Sequence, residues 1–171
     1  VRLHILTACT RPHNLPALAE SIEAATVAPW EVCWHIRFDA ALEHIGGQRL
    51  KNQMLDQITD GWVVFLDDDT VMHPLLMERI GEHSYADAVV VSQDRADGRH
   101  LTAARDQLRV GDVDIGQAVI RRKLIAGHRI PETYEGDGEF LAAVLSAERA
   151  LAVVFLRETL SAHNALEGMP A

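Results

Sequence analysis

The run Trp62-Val63-Val64-Phe65-Leu66 passes directly into Asp67-Asp68-Asp69-Thr70, and this junction constrains the fold more than any other stretch of the chain. A continuous apolar run of strand length suits a central strand of a parallel sheet covered on both faces. Three successive carboxylates repel one another and resist burial. The strand must therefore end where solvent or a ligand can reach it. Extended residues two apart point the same way, with Cα atoms roughly 6–7 Å apart, so Asp67 and Asp69 can share a site while Asp68 faces elsewhere. A divalent cation would relieve the repulsion, because it prefers oxygen ligands. Helix capping by Asp69 or Thr70 ahead of Pro74 explains one acid but not three.

The flanking segments supply the rest of an α/β pattern. Val1 to Ala8 is strand-like and is broken by Thr10-Arg11-Pro12. Leu15, Leu18, Ala19 and Ile22 recur at helical spacing behind Asn14, a fitting N-cap. Trp30 to Phe38 reads as a second strand, and Gly46-Gly47 precedes a helix with Leu50, Met54 and Ile58 on one face. Pro74 to Ile80 is a short helix, and Ala88 to Val91 a buried strand. This β-α-β-α-β-α-β order predicts an α/β domain. Right-handed crossovers then bring the strand C-terminal ends to one rim, where ligands bind. Beyond it, Asp94 to Arg99 is turn-like and Ile115 to Ile125 has helical character. Gly136 to Ala150 reads as a helix with Phe140, Leu141, Val144 and Leu145 inward, and Leu151 to Leu156 as a last strand. With no internal repeat or low-complexity linker, residues 1–171 read as one domain.

Composition narrows the partners. A net charge of −9 argues against nucleic acid. A phosphate-bearing substrate then needs a local cation, from a metal or from the arginines that outnumber the lysines Lys51 and Lys123. Cys9 and Cys33 lie in apolar, strand-like runs and predict two buried thiols, with neither disulfide nor zinc spacing. No run approaches the ~20 apolar residues of a membrane span, and no secretory leader pattern is visible. The expected location is cytoplasmic, with no transmembrane segment. Trp30, Trp34 and Trp62 fit core positions in a chain with 5% aromatics.

With these residues placed, the chain resembles the GT-A glycosyltransferases, especially the family 2 type. Leu6-Thr7-Ala8-Cys9-Thr10-Arg11-Pro12 looks like the opening strand and loop that hold the donor nucleoside. Gln48-Arg49-Leu50-Lys51-Asn52 is similar to the family's Arg-Asn pattern, with Lys51 in place of arginine, and Phe65-Leu66-Asp67-Asp68-Asp69 to its DXD signature. Val113 to Gln117 looks like the acceptor-side segment, Tyr134 to Phe140 like the segment of the catalytic base, and Leu160 to Asn164 like a late loop with a metal-binding histidine. The resemblance implies a GT-A-type, Rossmann-like three-layer α/β/α sandwich with a mostly parallel central sheet. Residues 1–92 would form its nucleotide-sugar half and residues 93–171 its acceptor and catalytic half. It implies nucleotide contacts from Thr7, Arg11, Asp39, Arg49, Asn52, Asp67 and Asp68. It implies Mn²⁺ or Mg²⁺ on Asp69 and His163, and Asp137 as the base, with Glu135 and Glu139 as competitors. This sequence departs from the family in its short length and in carrying Asp137 and Glu139 around a glycine, where a Glu-Asp pair is usual.

The implied reaction is transfer of a sugar from a nucleoside-diphosphate donor, UDP-sugar favoured, to an acceptor hydroxyl, with inversion. The acceptor is open: a glycan, a lipid-linked sugar or a small molecule. Arg121 and Arg122 fit phosphate contacts or a solvated helix face equally. Phe65 to Val71 also resembles the first motif of the haloacid dehalogenase phosphatases, with Asp67 as nucleophile and Asp69 as general acid. Against that stand the βα units that precede the motif. A nucleotidyltransferase lacks its glycine-rich loop here, since Cys9 to His13 contains no glycine. A non-catalytic nucleotide- or sugar-binding domain is the remaining alternative.

Overall fold

Alternate residues of the central apolar run face opposite sides of one sheet, as a two-residue strand period requires. Val63 and Phe65 join one buried cluster, and Trp62, Val64 and Leu66 the other. The computed structural model describes residues 1–39, 47–107, 109–146 and 152–166. Its strands are β1 (Arg2–Cys9), β2 (Glu31–Phe38), β3 (Trp62–Phe65), β4 (Val71–Met72), β5 (Ala88–Arg95), β6 (His100–Leu101), β7 (Ala118–Arg121) and β8 (Val153–His163). Its helices are α1 (Leu15–Ala25), α2 (Gln48–Leu55), α3 (Leu76–Glu82), α4 (Arg122–Ile125) and α5 (Gly136–Leu145).

The sheet runs β2-β1-β3-β7-β5-β8-β4, with β6 paired to β5. Strands β1, β2 and β3 are parallel, β7 is antiparallel to both β3 and β5, and β8 is parallel to β5. The sheet is thus mixed, with β1, β2, β3, β5 and β8 sharing one direction. Helices α1 and α3 cover one face through Leu18, Ile22, Leu76, Met77 and Ile80. Helices α2 and α5 cover the other through Met54, Leu55, Phe140, Leu141 and Val144. Each such aliphatic side chain, once buried, stabilises the fold by about 1.5–3 kcal/mol. The expected three-layer α/β/α sandwich is what forms.

The chain leaves β1 for β2 on one side and returns to β3 on the other. Strand order therefore reverses at β1, and in sheets of this kind the ligand crevice lies by the strand C-terminal ends at that point. Cys9, Phe38, Phe65 and His163 all end their strands at this rim.

Several expectations need correction. Residues 115–125 are not one helix: a 3₁₀ turn (Ile115–Gln117) leads into β7, and only Arg122–Ile125 is helical. Ala118, Val119 and Ile120 are buried on both faces of the sheet, a situation in which apolar spacing cannot separate strand from helix. The last strand continues to His163, so residues 160–163 are strand rather than loop. Register shifts between Val91 and Gln93 mark a bulge that lets β8 follow β5 and then pair β4. Asn14 closes the 3₁₀ turn Pro12–Asn14 with its side chain buried and makes no cap hydrogen bond. Cys9 is a buried thiol, but Cys33 is only half-buried. Residues 147–151, expected to finish a helix and open a strand, and Gly46 lie outside the described residues.

Candidate active site

The acidic run leaves β3 at the crevice, and its three carboxylates take three different partners. Asp68 turns back into the protein, 1% exposed. It accepts hydrogen bonds from Thr10 N (2.6 Å), Arg11 N (2.5 Å), Thr10 Oγ1 (3.1 Å) and Arg11 Nε (2.9 Å). It thereby clamps the loop after β1 onto the loop after β3. Burial alone would raise its affinity for a proton, and the Arg11 and Thr10 bonds outweigh burial, so its pKa falls below the usual value. The Arg11 guanidinium bridges Asp68 Oδ1 (2.7 Å) and Asp69 Oδ2 (2.5 Å).

Asp67 points the other way and pairs with Lys51 Nζ at 2.8 Å. Lys51 is 0% exposed. Burial opposes its charge, but Asp67, Asp137 and Asp114 together more than offset burial, and its pKa is raised. An ammonium thus lies beneath the acid cluster. The sequence reading gives Lys51 no role, although a signal is present: it lies on the face of α2 that carries Met54 and Leu55, both buried.

Asp69 is nearly buried and stands beside the end of β8. Its Oδ1 lies 3.8 Å from His163 Nδ1, and the same nitrogen is 3.9 Å from Asp114 Oδ2 and 3.2 Å from Thr70 Oγ1. Burial and the charge of Asp67 raise the Asp69 pKa, against the pull of His163 and Arg11. Asp114 was not singled out from the sequence, yet its D-x-x-Q spacing to Gln117 is a readable capping box. Its Oδ1 accepts from Gly116 N at 2.8 Å, and Gln117 Oε1 accepts from Asp114 N at 2.9 Å, which holds the second oxygen toward His163.

Asp137 opens α5 and faces the same cluster, while Glu135 and Glu139 are exposed. Burial is the largest influence on it; Lys51 lowers its pKa, whereas Asp67 and Asp114 raise it, and the result is about 6. Two of the site carboxylates, Asp69 and Asp137, therefore hold protons more readily than usual, first because burial disfavours their ionised forms and second because other carboxylates lie close by. Among the described residues no group of three or more His, Cys, Asp or Glu is arranged to hold a metal ion by itself. Asp69 Oδ1 and His163 Nδ1, 3.8 Å apart, are near enough that both could reach one Mg²⁺ or Mn²⁺ ion, if phosphates and water completed its shell.

Not every residue expected at the site reaches it. Thr7 is 0% exposed; its hydroxyl donates to Leu66 O (2.8 Å) and accepts from Trp34 Nε1 (3.0 Å), so it is buried within the sheet and ties β1 to its neighbours. Asn52 is taken up by Ile130, donating to its carbonyl (2.9 Å) and accepting from its N–H (3.0 Å). Asp68 serves the loop, as described. Arg49 is exposed on α2, and Asp39 is at the rim just after β2, its N–H bonded to Cys9 O. Arg121 stacks on Trp62 at 4.1 Å, and Arg122 donates to Ile58 O (2.8 Å), both away from the rim.

No protein-family model matches the chain, and no curated protein matches it in sequence. Solved structures do. The structure of TarS 1-349 from S. aureus superposes with a TM-score of 0.70 at 15% identity, covering 97% of this chain and 61% of that one. The same protein in complex with UDP gives 0.69 at 16%, covering 94% and 59%. Glucosyl-3-phosphoglycerate synthase from Mycobacterium tuberculosis, in complex with Mg²⁺ and UDP, gives 0.63 at 17%, covering 99% and 72%. The chain spans about three fifths of the length of the TarS structures. Its architecture, a mixed α/β sheet with the crevice at β1 and β3, is the fold of the GT-A glycosyltransferases.

Proposed function

We propose that the chain transfers a sugar from a nucleoside-diphosphate sugar, UDP-sugar by preference, to an acceptor hydroxyl. The observation that carries this reading is the convergence of Asp67, Asp69, Asp114, Asp137 and His163 around the buried Lys51 on the crevice rim. The fold it shares with UDP-bound structures supports a nucleotide there. Residues 1–92 would serve the donor and residues 93–171 the acceptor and the chemistry.

Asp69 and His163 would hold Mn²⁺ or Mg²⁺, and the ion would supply charge stabilisation for the departing diphosphate. Arg11 adds the fixed positive charge that a diphosphate needs in a protein of net charge −9. Asp67, oriented by Lys51, would address the ribose or sugar, and Asp39 the base. Asp137 would accept the acceptor's proton, since a carboxylate with a pKa of about 6 is ionised at neutral pH yet is a better base than an ordinary one. A single displacement would invert the anomeric carbon, and a retained configuration in the product would refute that step. The phosphatase alternative is not favoured, because the solved structures that share this fold include TarS with UDP-GlcNAc and glucosyl-3-phosphoglycerate synthase with UDP.

The test is thermal stabilisation by UDP, GDP, dTDP and CMP, each with and without Mn²⁺, on the wild type and Asp69→Ala. A ligand that binds only the folded state raises the melting temperature. A Mn²⁺-dependent shift with UDP that disappears in the variant is expected. No shift with any nucleotide would overturn the proposal.

A further inference from the structure

A cavity of about 540 Å³ lies beside the crevice, between β6 and the loop at residues 109–112. That volume falls within the usual range for small-molecule sites. One wall adjoins the catalytic elements. A Cβ on Gly138, the residue after Asp137, would come within 3.0 Å of Val110 Cα and 3.4 Å of Gly111 N, so this loop rests on the first turn of α5. The opposite wall is tied to the Asp114 turn, since Gln117 Nε2 donates to Leu101 O at 3.2 Å. Whatever fills the cavity lies next to the segments that carry Asp114 and Asp137.

The lining selects the chemistry. Arg99 and His100 face it already paired, with Asp97 (2.7 Å) and Asp94 (2.7 Å). Among the described residues, Asp106, Arg109 and Asp112 make no ion pair. They leave two carboxylate acceptors and one guanidinium donor open, beside the hydroxyl of Thr102. The two carboxylates disfavour an anion, and the charges disfavour a hydrocarbon chain, for which Leu101 is the only large apolar side chain among the described residues of the lining. Interleaved acceptors and donors match the alternating hydroxyls of a sugar. An aromatic platform is close by: Tyr134 is 94% exposed, three positions before Asp137, and lies within electrostatic reach of Arg99.

We infer that this cavity is the acceptor subsite and that it takes a neutral carbohydrate, held by Asp106, Arg109 and Asp112. The inference rests on the glycosyl-transfer reading of the adjoining crevice. Its test is saturation-transfer NMR with glucose, galactose, N-acetylglucosamine, maltose and cellobiose. Glucose 6-phosphate is the anionic probe and dioleoylphosphatidylcholine vesicles are the lipid probe. Wild type, Arg109→Ala and Asp112→Asn are compared, and UDP with Mn²⁺ is titrated into the same samples. At least one neutral sugar is expected to bind, with its Kd raised tenfold or more in both variants and the UDP affinity unchanged. Binding of none of the neutral sugars, binding indifferent to both substitutions, or preference for the phosphate or the vesicles would each overturn the inference. If UDP binds while the sugars do not, only the acceptor assignment fails. If a sugar binds as described while UDP does not, the cavity stands as a sugar site and the transferase reading fails.

Discussion

Replacing Asp68 with alanine separates a structural role from ligand contact. The substitution removes a buried carboxylate and orphans the N–H groups of Thr10 and Arg11, together with one side of the Arg11 guanidinium. Breaking a buried, hydrogen-bonded charge pair costs about 3–5 kcal/mol. For a domain of this size each kcal/mol shifts Tm by roughly 2–4 °C, so a fall of about 6–20 °C is expected in calorimetry at pH 7. The pH dependence has a definite sign. The folded pKa of Asp68 lies below the ordinary aspartate value, so its ionised form stabilises the fold. That contribution is complete above the unfolded pKa and is lost as pH falls through the lower folded value. The gap between wild type and variant should therefore be constant near neutrality and shrink only in strong acid. A variant that melts with the wild type yet no longer binds UDP would show Asp68 to be a ligand contact and refute this reasoning.

Three further outcomes follow from the same geometry. Lys51→Met removes the ammonium beneath the cluster and leaves Asp67, whose side chain is 23% exposed, without its partner, and urea unfolding should show a loss of about 1–3 kcal/mol; Lys51→Arg, too large for the same space, should not restore it fully. Asp137→Asn should lower kcat by about 10²–10⁴ with UDP affinity retained, and wild-type transfer should rise with pH through about 6, whereas a flat profile from pH 5 to 8 would exclude Asp137 as the base. The rings of His4 and His35 meet at 3.0 Å between Nδ1 and Nε2, and burial lowers both pKa values. Their neutral forms stabilise the fold fully above pH ~6.5, and that stability is lost as pH falls through the folded values; His35→Asn should flatten Tm against pH between 5 and 7.

The segments legible in the sequence were those whose local pattern and tertiary setting agree. The apolar run ending in Asp67 to Asp69 reads as a central strand because a residue buried on both faces must be apolar at every position, and β3 is such a strand. Helix α1 and strands β1 and β2 likewise follow from spacing and turn residues alone. Strand β7 was not legible. It lies between β3 and β5, and its Ala118-Val119-Ile120 run continues apolar spacing that a helix would also satisfy. The choice was made by two neighbouring strands offering unpaired backbone groups, and no local window contains them.

The acids were legible as a group but not in their separate roles. Sequence determined that carboxylates would gather at the end of β3, since only a rim tolerates them there, and that the middle one would face away from its two neighbours. Which of them meets the ligand space depended on what lies opposite. Arg11 and Thr10 come from the loop after β1, Lys51 from α2 and His163 from the end of β8, up to 94 positions away from Asp69. The same holds for Thr7 and Asn52, whose side chains are consumed by Leu66, Trp34 and Ile130. Hydrogen-bond partners are assigned by three-dimensional proximity, so chain order alone could place these polar groups near the crevice but could not say which would be spent on holding it together.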